Sequence, residues 1–245
     1  MIRTINRKPP RHAAIALIVL SGTSGVIAAE SAANTPLIPP YVATFKADSK
    51  GSISASGTTT RQLSQLNNLS WKLSSESSAL FARIDENSTF THSQNLIAPH
   101  SYYYKRKVLG KTREAALSFD WQKNSVTNNV ANQPWQMPIS DGVQDKLSYQ
   151  LQLRLDLING KELLEYKVAD GGRLKEYRFE IIGKEHIETP AGSFDSIKVR
   201  RLHDSNDKKT LIWFAPSLNY QMIKLYRQTK KDKAFALSLQ TLKTR

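Results

Sequence analysis

Tyr41-Val42-Ala43-Thr44-Phe45-Lys46-Ala47-Asp48 places Tyr41, Ala43, Phe45 and Ala47 on one side of an extended chain, with Thr44, Lys46 and Asp48 largely on the other. This period of two returns in Leu69-Trp71-Leu73, in Ala115-Leu117-Phe119-Trp121 and in Phe235-Leu237-Leu239. One dry face and one wet face is the mark of an antiparallel sheet; a doubly wound parallel sheet buries both faces and reads as continuous apolar runs. Turn signals punctuate the runs: Ser49-Lys50-Gly51, Asp85-Glu86-Asn87, Asp170-Gly171-Gly172, Asp204-Ser205-Asn206-Asp207 and Pro216-Ser217-Leu218-Asn219. Together they predict about eight to ten strands joined mainly by hairpins.

One segment follows a different rhythm. Leu147, Leu151 and Leu155 recur every four residues after Asp141-Gly142-Val143-Gln144-Asp145, and Asn159-Gly160 closes the run. This spacing predicts a helix near 141–160, with Ser140 or Asp141 as N-cap and acids in its first turn. Leu151 to Leu157 also alternates, so a strand remains open there. The fold class expected is mainly β: a curved antiparallel sheet or partly open β-barrel with one covering helix near 141–160. Asn124 to Asp141, with Pro134 and Pro138, reads as an irregular connection placed to form a flap over one mouth of the sheet.

The chain's ends and charge bound the setting. Arg3, Arg7, Lys8 and Arg11 precede an uncharged apolar stretch from Ala13 to about Ala29 that ends in Val26-Ile27-Ala28-Ala29, the pattern of a cleavable signal peptide. No Arg-Arg pair precedes the apolar stretch, so a twin-arginine leader is not supported. The expected organisation is a signal peptide at 1–29, an extended proline-bearing lead-in at 30–40 and one β-rich domain at 41–245, in the periplasm and without a transmembrane helix once the leader is removed. Formal charge is +14, and losing the four leader cations leaves the mature chain at +10. Outside the cytoplasm nucleic acid is not expected as a partner; such charge suits anionic lipid headgroups, lipopolysaccharide or anionic glycan. The 245 residues contain no cysteine, which excludes disulfides, Cys-ligated zinc, iron-sulfur centres, a thiol nucleophile and an acylated lipoprotein cysteine.

Catalytic patterns are missing from the sequence: there is no Gly-x-Ser-x-Gly elbow, His-Glu-x-x-His, Gly-rich phosphate loop or Asp-rich calcium loop. Enzymatic activity is therefore not expected, nor any metal or cofactor, and the nearest chelating pattern, His186 with Glu188, is accounted for by a polar strand edge. Candidate ligand-binding residues are Tyr102, Tyr104, Lys105, Arg106 and Lys107, where alternation sends Tyr102 and Tyr104 to one face and Tyr103 and Lys105 to the other, together with Trp135 in its proline-framed loop. They allow rings for stacking beside cations for an anionic group. The plainer reading of the same strand is core aromatics with a solvated basic edge, and it carries the greater weight.

Glu188-Thr189-Pro190-Ala191-Gly192-Ser193-Phe194-Asp195-Ser196-Ile197-Lys198-Val199, followed by Leu211-Ile212-Trp213-Phe214-Ala215-Pro216, resembles the C-terminal half of the bacterial family called domain of unknown function 3108. Gln144-Asp145-Lys146-Leu147-Ser148 and the Tyr41 to Gly57 hairpin are similar to it as well. Pro190, Gly192, Phe194, Trp213 and Pro216 are structural motif residues: turn entry, positive φ, core anchor and strand end. The resemblance implies an exported β-rich protein and carries over no catalytic residue. The functional expectation is a non-catalytic binding module for an amphiphilic or anionic envelope component; the alternative is an envelope assembly or scaffolding protein that acts through contacts with another protein.

Overall fold

The computed structural model describes residues 38–51, 54–93, 95–130, 133–230 and 233–244, so the predicted leader lies outside the described residues. Strands follow one another as β1 (Tyr41–Lys50), β2 (Ala55–Gln65), β3 (Ser70–Ala79), β4 (Ala82–Ser93), β5 (Leu96–Val108), β6 (Lys111–Asp120), β7 (Ser125–Val130) and β8 (Gln133–Pro138). After α1 (Ser148–Ile158) come β9 (Leu164–Ala169), β10 (Leu174–Thr189), β11 (Gly192–Leu202), β12 (Lys209–Ala215), β13 (Gln221–Lys230) and β14 (Lys233–Thr244). They form one antiparallel sheet in the order β8-β7-β6-β5-β4-β3-β2-β1-β14-β13-β12-β11-β10-β9. Both edges remain unpaired with each other, so the sheet curls without closing. The β1–β14 pair joins the two halves, with Tyr41 opposite Thr244 and Ser49 opposite Phe235.

Fourteen strands among the described residues exceed the eight to ten expected. Two expectations fail locally. Asp85-Glu86-Asn87 is not a turn; these residues lie inside β4, paired to Glu76, Ser75 and Ser74 of β3, and the turn falls at Leu80-Phe81 instead. The polar triplet misleads because Asp85 is held by Arg83 across one strand step, while Glu86 accepts from the Tyr102 hydroxyl at 2.6 Å. Asn124 to Asp141 is no irregular flap either: most of it is the β7–β8 hairpin, with Pro134 and Pro138 on an edge strand where a missing amide costs nothing.

Leu151–Leu157 is helical, but α1 starts well after Asp141. Its cap is Asp145, whose Oδ1 accepts the amides of Leu147 and Ser148 at 2.7 and 2.8 Å while its own N–H donates to Ser148 Oγ at 2.9 Å. That is a capping box with Ser in place of Glu. The other end closes as expected at Gly160, φ +67, through Gly160 N–H to Leu157 O and Lys161 N–H to Asp156 O, a Schellman motif. Leu151, Leu153, Leu155 and Leu157 are all buried, so α1 is enclosed rather than laid across one face.

Enclosure needs the open seam to be covered, and residues 139–147 do this. The Gln144 backbone bridges β9 through Lys167 O and the Ala169 amide, while its Nε2 donates to Ile97 O at 2.7 Å on β5. Gln152 Oε1 accepts the Ile97 amide at 2.9 Å. β6 pairs with β5 only from Ser101 to Val108, so two side-chain amides serve Ile97 where the neighbouring strand has run out. Higher up the seam Gly172, φ +81, abuts the Trp135 indole so closely that a Cβ would collide with it.

Candidate functional site

Because consecutive strands are antiparallel, every hairpin from an odd to an even strand turns at the same end of the sheet, and the first turn of α1 faces that end. There the inner face opens into a cavity of about 530 Å³. Six cationic side chains line it: Arg61 from β2, Arg106 from β5, Lys146 ahead of α1, Arg201 from β11, Arg227 from β13 and Lys233 from β14. Among the described residues Glu86 is the one carboxylate in the lining, and it is engaged by Tyr102. The rest of the wall divides into rings and aliphatic groups (Ile84, Tyr104, Tyr149, Tyr177, Leu225, Ala234, Phe235, Leu237), small hydroxyls (Thr59, Ser75, Ser77, Thr210, Thr229) and the Gln150 amide.

The cations are poorly matched inside the protein. The buried Nε atoms of Arg61 and Arg201 and the Oε1 of Gln150 have no hydrogen-bond partner among the described residues. A buried charge-bearing donor left open is costly, so the protein's own groups leave both guanidinium groups incompletely satisfied. Arg201 lies over Tyr177, its Cζ 3.2 Å from the ring centroid, and Lys146 sits 5.3 Å over Tyr104 while 3.8 Å from Asp170. An adjoining cleft of about 590 Å³ shares Tyr177, Arg201, Arg227 and Thr229 and carries the positive region out to the rim. His203, on that rim, is pushed down to about 4 by burial and then by Arg201, Arg227 and Lys208. It reports the sign of the local field.

Beneath the cavity, Asp145 is fully buried, and its Oδ2 accepts from Ser88 Oγ at 2.6 Å. Burial pushes its pKa up to about 6 despite that bond and the two amides. Burial also raises the Tyr102 and Tyr177 hydroxyls, with Glu86 and Asp170 respectively adding to the effect. At the opposite end of the sheet a second space of about 660 Å³ includes Arg154, but this guanidinium is already committed to Gln221 Oε1 at 2.6 Å and the carbonyls of Asn219 and Leu218. It braces the turn after β12, with Tyr41 stacked 5.2 Å away.

The structure divides the residues singled out on β5. Tyr102, Tyr104 and Arg106 face inward, Tyr102 as core and the other two as cavity wall. Lys105 and Lys107 fall on the outer face, Lys105 paired to Glu114 at 2.7 Å. Trp135 is 41% exposed and packs on Gly172 at the seam, away from the cavity wall. Gly192 adopts φ +128; Ala191 N–H donates to Thr189 Oγ1 in the turn at Pro190, and Phe194 packs half-buried against the core. Trp213 is buried on the outer side beneath Lys198 and Lys224, donating to Glu185, and Pro216 opens a 3₁₀ turn. His186 pairs with Asp195, and among the described residues no three His, Asp or Glu side chains gather as a metal site. Of the six cations Arg106 alone is a candidate from sequence; Arg61, Lys146, Arg201, Arg227 and Lys233 join it only through the fold.

A family model described as "Protein of unknown function (DUF3108)" matches residues 41–236. The chain belongs to the DUF3108 family. Among solved structures, this DUF3108 chain is similar to a β-barrel-like protein of domain of unknown function DUF1849 from Brucella abortus, with 8% identity, 85% of this chain and 98% of the other covered, and a TM-score of 0.57. That likeness concerns the fold. Weaker likenesses are to a putative lipoprotein from Parabacteroides distasonis (12% identity, 85% and 97% covered, TM-score 0.32) and a putative outer membrane lipoprotein-sorting protein domain from Vibrio parahaemolyticus (10%, 84% and 86%, 0.25). No curated protein matches the DUF3108 chain. Among its described residues no helix is long and apolar enough to cross a membrane.

Proposed function

We propose that the protein is a non-catalytic binding module of the cell envelope that holds an anionic amphiphile in the mouth of its curled sheet. The observation that carries this reading is the cavity wall, which among the described residues has six cations, one engaged carboxylate and unpartnered buried arginine nitrogens. An anionic headgroup would sit among Arg61, Arg201 and Arg227, and an apolar portion against Tyr104, Tyr149, Leu225 and Phe235. A purely polar glycan would leave that apolar wall unused, so a lipid-like molecule fits better. The leader-like N-terminus supports export, and the absence of catalytic patterns in the sequence supports binding without turnover. Scaffolding by strand addition fits less well. The β8 edge is six residues long and carries two prolines, which blunt it as a template.

The test is native mass spectrometry of the purified protein before and after organic extraction, followed by titration with a fluorescent fatty acid or lysophospholipid. Co-purified anionic lipid or saturable binding is expected. Replacing Arg61 and Arg227 together with Gln should weaken binding on the order of a hundred-fold, since charge-assisted hydrogen bonds contribute about 1.5–3 kcal/mol each. Protein that is homogeneous, empty and indifferent to these probes would overturn the reading.

A further inference from the structure

Two hairpin tips at the cavity end expose large apolar side chains. Leu80 and Phe81 make up the whole two-residue β3–β4 turn and are 81% and 64% exposed; Leu109, in the two-residue β5–β6 turn, is 63% exposed. The tips form one patch, for the Leu109 amide donates to Phe81 O at 3.0 Å and Ala82 faces Val108. Leu109 also has φ +47 and is followed by Gly110 at φ +79, so the turn calls for Asn, Asp or Gly at its first position. A leucine there is unfavourable twice over, through backbone conformation and through exposure. Neither folding nor solubility accounts for it.

The surroundings identify what the patch meets. Lys107 and Lys111 flank the β5–β6 tip, exposed and without an ion pair among the described residues, while Arg106 and Ile84, close behind the tips, belong to the cavity wall. Projecting apolar hairpin tips with free cations on one flank need no complementary pocket in a partner; they need a soft apolar layer beneath a negative surface, which an anionic lipid bilayer provides. We infer that Leu80, Phe81 and Leu109 insert into the interfacial layer of an anionic membrane and set the cavity mouth against it. The inference rests on the cavity reading for its purpose, delivery or uptake of the amphiphile, but its test is separate.

Vesicles of phosphatidylcholine alone and with phosphatidylglycerol, sedimented with the purified protein, give the measurement. Binding is expected for the anionic vesicles and should fall at high salt. Leu80→Ser with Phe81→Ser should reduce it on the order of ten-fold or more, as loss of buried apolar area predicts. Leu109→Asn is the sharper variant: Asn suits the positive φ, so the fold is retained or strengthened while vesicle binding drops. Leu66→Ser with Leu69→Ser, at the β2–β3 turn of the opposite end where these leucines are 55% and 72% exposed, should leave binding unchanged. A Phe81→Trp reporter should shift its emission to shorter wavelength on anionic vesicles. Tip variants that sediment like the unaltered protein, equal loss from the opposite-end variant, or failure of the unaltered protein to bind vesicles while a protein partner is captured through the tips would each overturn the inference. Soluble-probe binding, followed in parallel, separates the two ideas: tip variants retain it, whereas the Arg61 and Arg227 variant loses it but still sediments with vesicles.

Discussion

Asp145 and His203 titrate against each other. Asp145 is held near 6 by burial, above an unfolded value of about 4, so the native state keeps its proton longer; the associated stability is complete below about pH 4 and is lost as pH rises to about 6, roughly 3 kcal/mol in all. His203 runs the opposite way. Its folded value, about 4, lies below the unfolded value of about 6.5, so stability is lost as pH falls through that window. The two contributions offset over the same range. Asp145→Asn, which can still accept the Leu147 and Ser148 amides, should therefore steepen the loss of stability toward acid, and His203→Gln should make stability rise toward pH 4; urea midpoints measured from pH 4 to 7 read both. Neither residue announces this in the sequence, because burial is what moves them. The cavity arginines, by contrast, leave a trace in the sequence. Arg61 lies two residues from Leu63, Arg106 two from Tyr104, Arg201 two from Val199 and Arg227 two from Leu225, each on the inward phase of its strand and nearer the same end. An arginine in core phase is the signal, and it is visible only once several strands are laid side by side.

The strands and α1 show where local pattern suffices and where it does not. Alternation found the sheet because one face of each strand is dry, and the Asn159-Gly160 stop of α1 was legible because a positive φ selects glycine. The start of α1 was not, since Asp141 and Asp145 are equally good caps in isolation; Asp145 wins because Gln144, one residue before it, is committed to β9 in an extended bridge. The Asp85-Glu86-Asn87 stretch has the composition of a turn yet stays extended, because its carboxylates find partners within the sheet, Asp85 in Arg83 one step along the same strand and Glu86 in Tyr102 of β5. The seam gives a prediction of its own. Gln152 joins three groups, accepting from Ile97 N–H and donating to Asn95 O and Asp156 Oδ1. Gln152→Ala leaves the buried Ile97 amide without a partner, at a cost of about 1–3 kcal/mol. The Ile97 amide should exchange with solvent faster and α1 should loosen at the β5 margin, both seen by native-state hydrogen exchange. Leu153→Ala, at a fully buried position inside the curl, should cost about 2–5 kcal/mol with no such local signature.

At the scale of the whole molecule, the curl that wraps α1 also gathers like charges. Strands from both halves of the sheet, β2 and β5 on one side of β1 and β11, β13 and β14 on the other, each send a cation to the same end. Asp170, beside Lys146 and Lys175, offsets part of this field, yet Arg61, Arg201 and Arg227 have no carboxylate partner among the described residues. The empty protein therefore carries like-charge repulsion that its hydrophobic core must outweigh, and on the proposed function a bound anion would relieve it. Two measurements distinguish this from a basic surface whose charges are merely solvated. Arg227→Gln should stabilise the empty protein by about 0.5–1 kcal/mol, as removal of a like charge at partly exposed distance predicts, while weakening amphiphile binding. Substituting Lys107, which lies on the outer face of β5, should change stability little. Thermal midpoints should also rise more in phosphate or sulfate than in chloride at equal ionic strength, and the excess should shrink in the Arg227 variant, because screening acts on every charge alike whereas site occupancy stabilises only the native state. If phosphate and chloride act identically on both proteins, the arginines are held apart well enough to need no ligand, and the mouth of the sheet is not a binding site.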